Sequence, residues 1–225
     1  SPIFHQLIVK EKKIDLPICI LNIGGISNIT LIGDLKEENL ISKDIGPGNC
    51  LIDEWMRRNK KGNYDNNGEA ASIGKTNELI LNQALEDFEN VTDKNMNSFD
   101  VNDFEINFLR GLDLEDGAST ITDFTSNIIA SKLLSEISKS NLKISKIILC
   151  GGGRKNKTLI DKIKKNCGKY FKFETTDDYG VDGDFVESQA FAFLAIRSFF
   201  KLPISFPNTT GCKSPSTGGV LVKNF

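Results

Sequence analysis

The sequence predicts a mixed α/β fold, and three features carry that prediction. Short segments rich in Ile, Val or Phe and bounded by Gly, Asn or Asp are typical of buried strands. These segments are 18–23, 28–32, 146–150 and 171–175, and 41–43 is a further short strand candidate. Longer segments with helical apolar spacing predict helices over 50–59, 75–89, 118–138, 156–166 and 184–200. In addition, glycine-rich loops follow two of the strands, at 24–25 and 151–153.

Local signals refine several of these elements. The first two strands are predicted to form a hairpin joined by the four residues 24–27, because glycine there permits a tight connection. Asp116 or Ser119 is a suitable N-cap for the helix over 118–138. The helix over 184–200 is apolar almost all round, so we expect it to be buried.

Composition limits the classes of partner. The chain has 225 residues, of which 39% are hydrophobic and 26% charged, which suits one large globular domain. Its net charge of −2 provides no field for nucleic acid or an anionic membrane, and no apolar run is long enough to span a bilayer. The five cysteines are scattered and include no CxxC pair, so we expect neither a disulfide framework nor a zinc site. A reducing cytoplasm fits this pattern best.

The glycine loops are the main candidates for ligand binding. Gly24 and Gly25 could bring backbone amides to the phosphates of a nucleotide, or could simply form an ordinary hairpin turn. Gly151, Gly152 and Gly153 follow an apolar strand and precede Asn156, a suitable helix cap. A strand, a tight turn and a helix start can accept a phosphate, although the same pattern also occurs for packing reasons alone.

An acidic turn lies between the two glycine loops. Asp44 is predicted to end a short strand just before a rigid turn formed by residues 46–48. A carboxylate held there could act as a general base, or could cap the helix that starts near Cys50, a role that Asn49 fills equally well. Asp53 is a weaker candidate, since a surface acid within a helix is the simpler interpretation.

Three other patterns are weaker. Residues 68–76 (GEAASIGKT) differ from a Walker A loop by one extra residue between the glycines, so a turn followed by helical segments is the better prediction. The acidic stretch 175–184 contains Asp177, Asp178, Asp182 and Asp184, but such strings are more typical of helix-entry turns than of magnesium sites. His5, the only histidine, has no visible partner in the sequence.

Taken together, the motifs resemble those of the anhydro-N-acetylmuramic acid kinases. The matching strings, in order, are NIGGISNIT, DIGPGNCLIDEW, YDNNGEAASIG, CGGGRKN, TTDDYGVDGD followed by ESQAFAFLA, and LPISFPNTTG. The resemblance covers essentially the whole chain. It implies an actin/hexokinase-like (ribonuclease H-like) sugar kinase fold, with a mixed sheet flanked by helices.

The resemblance also implies an activity. Such kinases use ATP and Mg²⁺ to open 1,6-anhydro-N-acetylmuramic acid with water and to phosphorylate it at O6, during peptidoglycan recycling. Carried over by motif, Asp44 is the catalytic base. The nucleotide-contacting residues would be Gly24, Gly25, Asn28, Gly46, Gly151, Gly152, Gly153 and Asn156, with no metal ligand assigned. A cytoplasmic homodimer with a small sugar as substrate is expected, without nucleic acid or membrane.

Two departures from the family pattern limit that expectation. The N-terminal Gly-Thr-Ser-x-Asp-Gly loop of the family is absent, so residues 1–225 are predicted to be a C-terminal portion. This portion would comprise mainly the nucleotide-binding domain, with part of the sugar-binding region at about 45–115, and would be inactive alone. The second departure is that Asn97 and Val101 stand where the family more often has Lys and Arg.

Two other functions remain open from the sequence. Another sugar or acetate-type kinase of the same superfold would share the nucleotide-binding half and differ around 44–55. A non-catalytic actin-like module would bind nucleotide and serve as an interaction surface.

Overall fold

The computed structural model describes residues 1–92, 98–220 and 222. The helices are α1 (Pro2–Glu11), α2 (Cys50–Arg58), α3 (Glu69–Ile73), α4 (Glu78–Thr92), α5 (Leu114–Ser140), α6 (Lys157–Cys167), α7 (Val186–Phe199) and α8 (Pro207–Thr210). The strands are β1 (Ile18–Ile23), β2 (Ile26–Ile32), β3 (Ile41–Pro47), β4 (Lys146–Cys150) and β5 (Lys172–Thr175). The sequence predicted every strand and the longer helices after β3, but not α1 or α8.

The five strands form one mixed sheet in the order β3-β2-β1-β4-β5. Strands β1, β2 and β3 pair antiparallel, whereas β1, β4 and β5 pair parallel. A three-stranded meander extended by two parallel crossover strands is the arrangement of the ribonuclease H-like fold. The predicted mixed sheet with flanking helices is therefore confirmed.

Both faces of the central strand β1 are covered, which explains why it is largely apolar. In β1, Cys19, Leu21 and Ile23 pack into the core that contains α2, α5 and α6. The alternate residues Ile18 and Ile20 pack into a second core that contains α1 and part of α7. Since successive side chains of a strand point to opposite faces, a strand buried on both sides is a continuous apolar run.

Two predicted turns are shorter than expected. Strand β2 begins at Ile26, so only Gly24 and Gly25 separate it from β1, not four residues. The predicted turn at 46–48 is also wrong in part, because β3 continues to Pro47 and pairs with Ile26 across the sheet. Pairing with β2 extends the strand beyond the point where local turn signals place its end.

The long helix α5 packs against the sheet and begins earlier than predicted. Its N-cap is Asp113, whose carboxylate accepts a hydrogen bond from the backbone N–H of Asp116 at 2.9 Å. Neither Asp116 nor Ser119 is the cap, because both lie inside the helix. In its first turns, the α5 backbone accepts a hydrogen bond at Leu114 O from Trp55 Nε1 of α2, at 2.9 Å.

The unpredicted helix α1 supplies the partner that His5 lacks in the sequence. His5 is buried, and its Nδ1 lies 2.8 Å from the hydroxyl of Thr30 in β2. Burial lowers its pKa to about 3, so the ring is neutral. His5 is therefore a packing residue that joins α1 to the sheet.

The expectation that α7 is fully buried is wrong. Val186 and Ala190 are buried, but the opposite side of the helix lies on the surface. The exposed apolar residues at and beside this helix are Phe185, Phe191, Ile196, Phe199, Phe200 and Leu202, each between 46% and 66% exposed. We call this set the α7 surface. No helix of the described residues has the length and apolar content needed to cross a bilayer.

Candidate active site

The β1–β2 turn meets the segment that follows β3. Gly48 N–H donates to Gly25 O and Asn49 N–H donates to Gly24 O, both at 2.8 Å. Cys50 N–H, at the start of α2, donates to Gly25 O at 3.2 Å. Consequently the glycine turn rests on the backbone that connects β3 to α2.

The second glycine loop, at 151–153, packs beside the same connection. Gly151 leaves β4 with φ +79°, and a Cβ atom there would lie 2.6 Å from Ile23 O. Asn49 lies between the loops, since its Nδ2 is 3.4 Å from Ile23 O and its Oδ1 would be 3.0 Å from a Cβ on Gly153. Three segments far apart in sequence therefore converge at one edge of the sheet.

Packing explains some glycines of this site but not others. A Cβ atom on Gly48 would lie 2.3 Å from Gly24 O, and one on Gly153 would lie 2.2 Å from Ile23 Cγ2. By contrast, a Cβ atom on Gly25 or Gly152 would meet no described protein atom closer than 3.5 Å. Both residues are exposed and adopt backbone conformations open to other amino acids.

Asp44 lies inside β3, opposite Asn28 of β2 in the strand register. Its carboxylate accepts a hydrogen bond from Phe99 N–H at 3.1 Å. Partial burial raises the pKa of Asp44, against the lowering effect of that hydrogen bond. A carboxylate with a raised pKa is a better proton acceptor than an ordinary aspartate.

A cavity of about 760 Å³ lies beside Asp44. Its polar lining includes Ser42, Ser98, Glu136 and Thr209. The sequence did not predict a part for α8 here, since nothing local links the segment 207–211 to β3. A polar cavity of this volume is large enough for a monosaccharide.

The other predicted site residues have structural roles in the fold. Gly46 has φ +141°, and a Cβ atom there would lie 2.6 Å from Ile128 of α5, so packing alone requires glycine. Asn156 is buried and caps α6, as predicted, by accepting a hydrogen bond from Leu159 N–H at 3.0 Å. Asn28 is half-buried in β2.

Asp53 lies in the first turn of α2, next to the converging loops. It is half-buried rather than a solvated surface acid, and burial raises its pKa to about 6 despite the opposing charge of Arg57. Asn49 occupies the N-cap position of α2 but makes no side-chain capping hydrogen bond.

The Walker-like segment is structural, as predicted. It forms a short turn and helix α3, and Gly74 abuts α5, where a Cβ atom would lie 1.9 Å from Glu115 O. Lys75 N–H donates to a carboxylate oxygen of Asp116 at 2.7 Å. This segment therefore joins α3 to the start of α5.

The acidic stretch after β5 surrounds a guanidinium group. Arg154 lies 2.7 Å from a carboxylate oxygen of Asp177 and 2.8 Å from one of Asp184. The side chain of Asp178 instead caps its own turn at Thr175 N–H. Among the described residues no cluster of three or more His, Cys, Asp or Glu side chains could hold a metal ion.

These motifs occur together in one protein family. A sequence model described as "Anhydro-N-acetylmuramic acid kinase" matches residues 1–224. The chain belongs to the anhydro-N-acetylmuramic acid kinase family. Of the two residues that depart from the family pattern, Asn97 lies outside the described residues, while Val101 begins a short 3-10 turn.

Relatives in the family cover the chain but are longer. The anhydro-N-acetylmuramic acid kinase of Pelagibacter ubique is 54% identical over 225 residues, which is 100% of this chain and 60% of that protein. The kinase of Zymomonas mobilis is 37% identical over 220 residues, 97% of this chain and 57% of that protein. The chain thus spans about three fifths of the relatives that it matches.

A solved structure shows a more distant similarity. It is the activator of the 2-hydroxyisocaproyl-CoA dehydratase from Clostridium difficile with bound ADPNP. The similarity covers 81% of this chain and 60% of that chain, with a TM-score of 0.49 and 11% identity. We infer no ligand from it.

Proposed function

We propose that this chain is the nucleotide-binding portion of an ATP-dependent kinase that opens 1,6-anhydro-N-acetylmuramic acid and yields N-acetylmuramic acid 6-phosphate. The observation that carries this proposal is the convergence of the turn at 24–25, the segment after Asp44 and the loop at 151–153, in a chain of this family. Recycling of cell-wall sugar in the cytoplasm is the matching physiological role.

Asp44 is the proposed general base. Its carboxylate takes a proton from a water molecule whose oxygen bonds to the anomeric carbon, and the bond from that carbon to O6 breaks. O6 then bonds to the γ-phosphorus while the bond to the β-phosphate bridging oxygen breaks and ADP leaves. The raised pKa of Asp44 and the polar cavity beside it support this assignment.

The open glycines are the proposed phosphate contacts. A Cβ atom would fit at Gly24, Gly25 and Gly152 without a clash, so packing does not require glycine there. Glycine is expected at such positions where a ligand approaches the backbone. Gly151 and Gly153 shape their loop and Asn156 caps the helix that follows it, while Gly46 and Asn28 lie in the paired strands β3 and β2 beside the turn at 24–25. Mg²⁺ would arrive with ATP and neutralise phosphate charge, held mainly by phosphate oxygens and water.

We also propose that the chain is a C-terminal portion, with part of the sugar-binding region at about 45–115, and that it is inactive alone. The relatives exceed its length, and the α7 surface exposes six large apolar side chains, which favours a covering partner segment. The remainder of the protein would cover that surface and supply the other wall of the phosphate site. The complete protein would be a homodimer.

Isotope labelling in ¹⁸O-water tests the activity. The sample is a chimaera in which this chain replaces the matching 60% of the Pelagibacter ubique relative. With ATP and the anhydro sugar we expect a 6-phosphosugar that carries one ¹⁸O at the anomeric carbon, at reaction times shorter than the spontaneous exchange of a free anomeric oxygen with water. The variant Asp44→Asn should bind ATP but lose this product.

The same experiment separates the alternatives. A different sugar kinase would transfer phosphate to another sugar without incorporating ¹⁸O. A non-catalytic module would bind ATP and form no phosphosugar with any acceptor. Either result would overturn the proposal.

A further inference from the structure

The acidic stretch 175–184 and the loop at 151–153 meet at one side chain, Arg154. This side chain is only 6% exposed, although it lies two residues after the exposed Gly152. Lys155, the next residue, is 60% exposed at its side chain. A buried guanidinium group needs hydrogen-bond and ionic partners for its N–H groups. The partners of Arg154 therefore indicate which segments it links.

The partners of Arg154 come from both loops. Nε and Nη2 contact the two carboxylate oxygens of Asp177 at 2.7 and 3.1 Å, which is a bidentate pair. Nη1 donates to Asp184 at 2.8 Å and to the backbone oxygen of Gly151 at 3.1 Å. The guanidinium group therefore links the acidic stretch to a carbonyl of the glycine loop.

The opposite side of the guanidinium group is closed by backbone. A Cβ atom on Gly183 would lie 2.3 Å from Arg154 Nε, so no larger residue fits there while Arg154 keeps its position. Gly183 N–H also donates to a carboxylate oxygen of Asp177 at 3.3 Å. Arg154 thus lies in a slot formed by the acidic stretch.

The contact with Gly151 fixes the direction of a peptide group. Arg154 contacts Gly151 O twice, through its own backbone N–H at 3.3 Å and through Nη1. Because a trans peptide is planar, its N–H points away from its carbonyl. Holding Gly151 O toward Arg154 therefore directs the N–H of the exposed Gly152 to the other side, away from the acidic stretch.

We infer that Arg154 is a positioning residue, which holds the loop at 151–153 in its ligand-binding conformation through Asp177 and Asp184. This inference rests on the proposed nucleotide site, and it assigns Asp177 and Asp184 to loop structure rather than to a metal. Arg154 does not contact the phosphates itself. It fixes the peptide between Gly151 and Gly152, and the N–H of Gly152 contacts the phosphates.

The test compares two perturbing variants with two matched controls in the chimaera. Arg154→Lys keeps the charge but loses the fork geometry, and Gly183→Ala displaces the guanidinium group without a change in charge. Lys155→Gln removes only the neighbouring exposed ion pair with Asp184. Gly33→Ala places a Cβ atom against the flexible end of Leu142, remote from the site.

Two readouts are measured, the KM for ATP and hydrogen exchange of the backbone at 150–156. We expect both perturbing variants to raise the KM for ATP about tenfold, because the loop at 151–153 is misplaced. The kcat and the KM for the sugar should stay within about twofold of the wild type, because the general base Asp44 is not displaced. Exchange should accelerate at 150–156 while Tm changes little. Both controls should match the wild type.

Wild-type KM for ATP and wild-type exchange at 150–156 in Arg154→Lys and Gly183→Ala would overturn the inference. A general loss of stability with uniform faster exchange would also overturn it, since that identifies a purely structural role. If the wild-type chimaera turns over no ATP with any sugar, the proposed function fails. In that case the exchange comparison, which needs no nucleotide, still decides whether Arg154 holds the loop.

Discussion

At the scale of single residues, the glycines of the site divide by what a Cβ atom would touch. Gly151 and Gly153 are surrounded by β1, and Gly48 lies against Gly24, so their identity follows from packing. Gly25 and Gly152 are open to solvent. The sequence predicts that glycines gather here, but it cannot separate these two groups, because the close neighbours come from other segments.

The difference between open and packed glycines predicts that substitutions at neighbouring positions affect either ATP binding or stability. Gly152→Val should weaken ATP binding by about tenfold or more in Kd, because the added side chain occupies space that the ligand uses. Its Tm should stay close to that of the wild type, since no described atom is within 3.5 Å of the new Cβ. Isothermal calorimetry and thermal unfolding measure the two effects.

Gly153→Val is the matched control for that variant. Its Cβ atom would lie 2.2 Å from Ile23 Cγ2, so it should unfold at a clearly lower temperature. An unchanged ATP Kd in Gly152→Val would contradict a ligand at this loop.

The pH dependence of turnover follows from the environment of Asp44. A general base must be ionised, and burial raises the pKa of this carboxylate above the ordinary 3.8. As pH falls, kcat/KM of the chimaera should therefore decline at a higher pH than an ordinary aspartate would give. The kcat/KM profile measures this, and an acid limb at or below 3.8 would contradict the assignment.

At the scale of elements, α2 is the part that brings distant segments together. The backbone N–H of its first residue, Cys50, is hydrogen-bonded to Gly25 O, and its Trp55 packs on Gly117 of α5. The hydrophobic pattern predicted both helices, but not their contact. The glycine inside α5 is explained only by the indole ring beside it.

Gly117→Ala tests this contact. In an isolated helix the change would stabilise by roughly 1 kcal/mol, but here the Cβ atom would lie 2.1 Å from Trp55 Cζ2. We expect a net destabilisation of about 1–3 kcal/mol in urea unfolding, because the indole must move.

The double variant with Trp55→Leu isolates the cause. The smaller side chain should relieve the crowding, so the two substitutions should be strongly non-additive. Additive free energies of unfolding would show that the indole ring is not responsible.

At the scale of the whole molecule, the exposed side of α7 bears on the proposal that a further part of the protein covers this chain. Phe191 and Phe199 are 66% and 63% exposed, while Val186 and Ala190 on the same helix are buried. The apolar composition of α7 therefore predicted burial correctly for one side of the helix only. The sequence of the helix does not identify the partner surface for its other side.

Analytical ultracentrifugation of the chain and of the chimaera tests the proposed cover. The chain alone should self-associate through the α7 surface, because contiguous exposed aromatic side chains favour association in water. The double substitution Phe191→Ser and Phe199→Ser should reduce that association. The chimaera should form a defined dimer instead.

In the chimaera, the double substitution at Phe191 and Phe199 is expected to destabilise the protein. There it should lower Tm, since the serines would replace buried contacts with the added part. A monodisperse monomeric wild-type chain would contradict an unsatisfied α7 surface, and a monomeric chimaera would contradict the homodimer.

The sequence alone determined the element types, the two glycine loops, the cap at Asn156 and the family, because these depend on local spacing and on the order of motifs. The tertiary structure decided which glycines are open, that Asp44 borders a cavity with α8, that Arg154 pairs with Asp177 and Asp184, and that α7 is exposed on one side. Each of these depends on contacts between residues far apart in the chain. Spacing along one segment does not specify what packs against it.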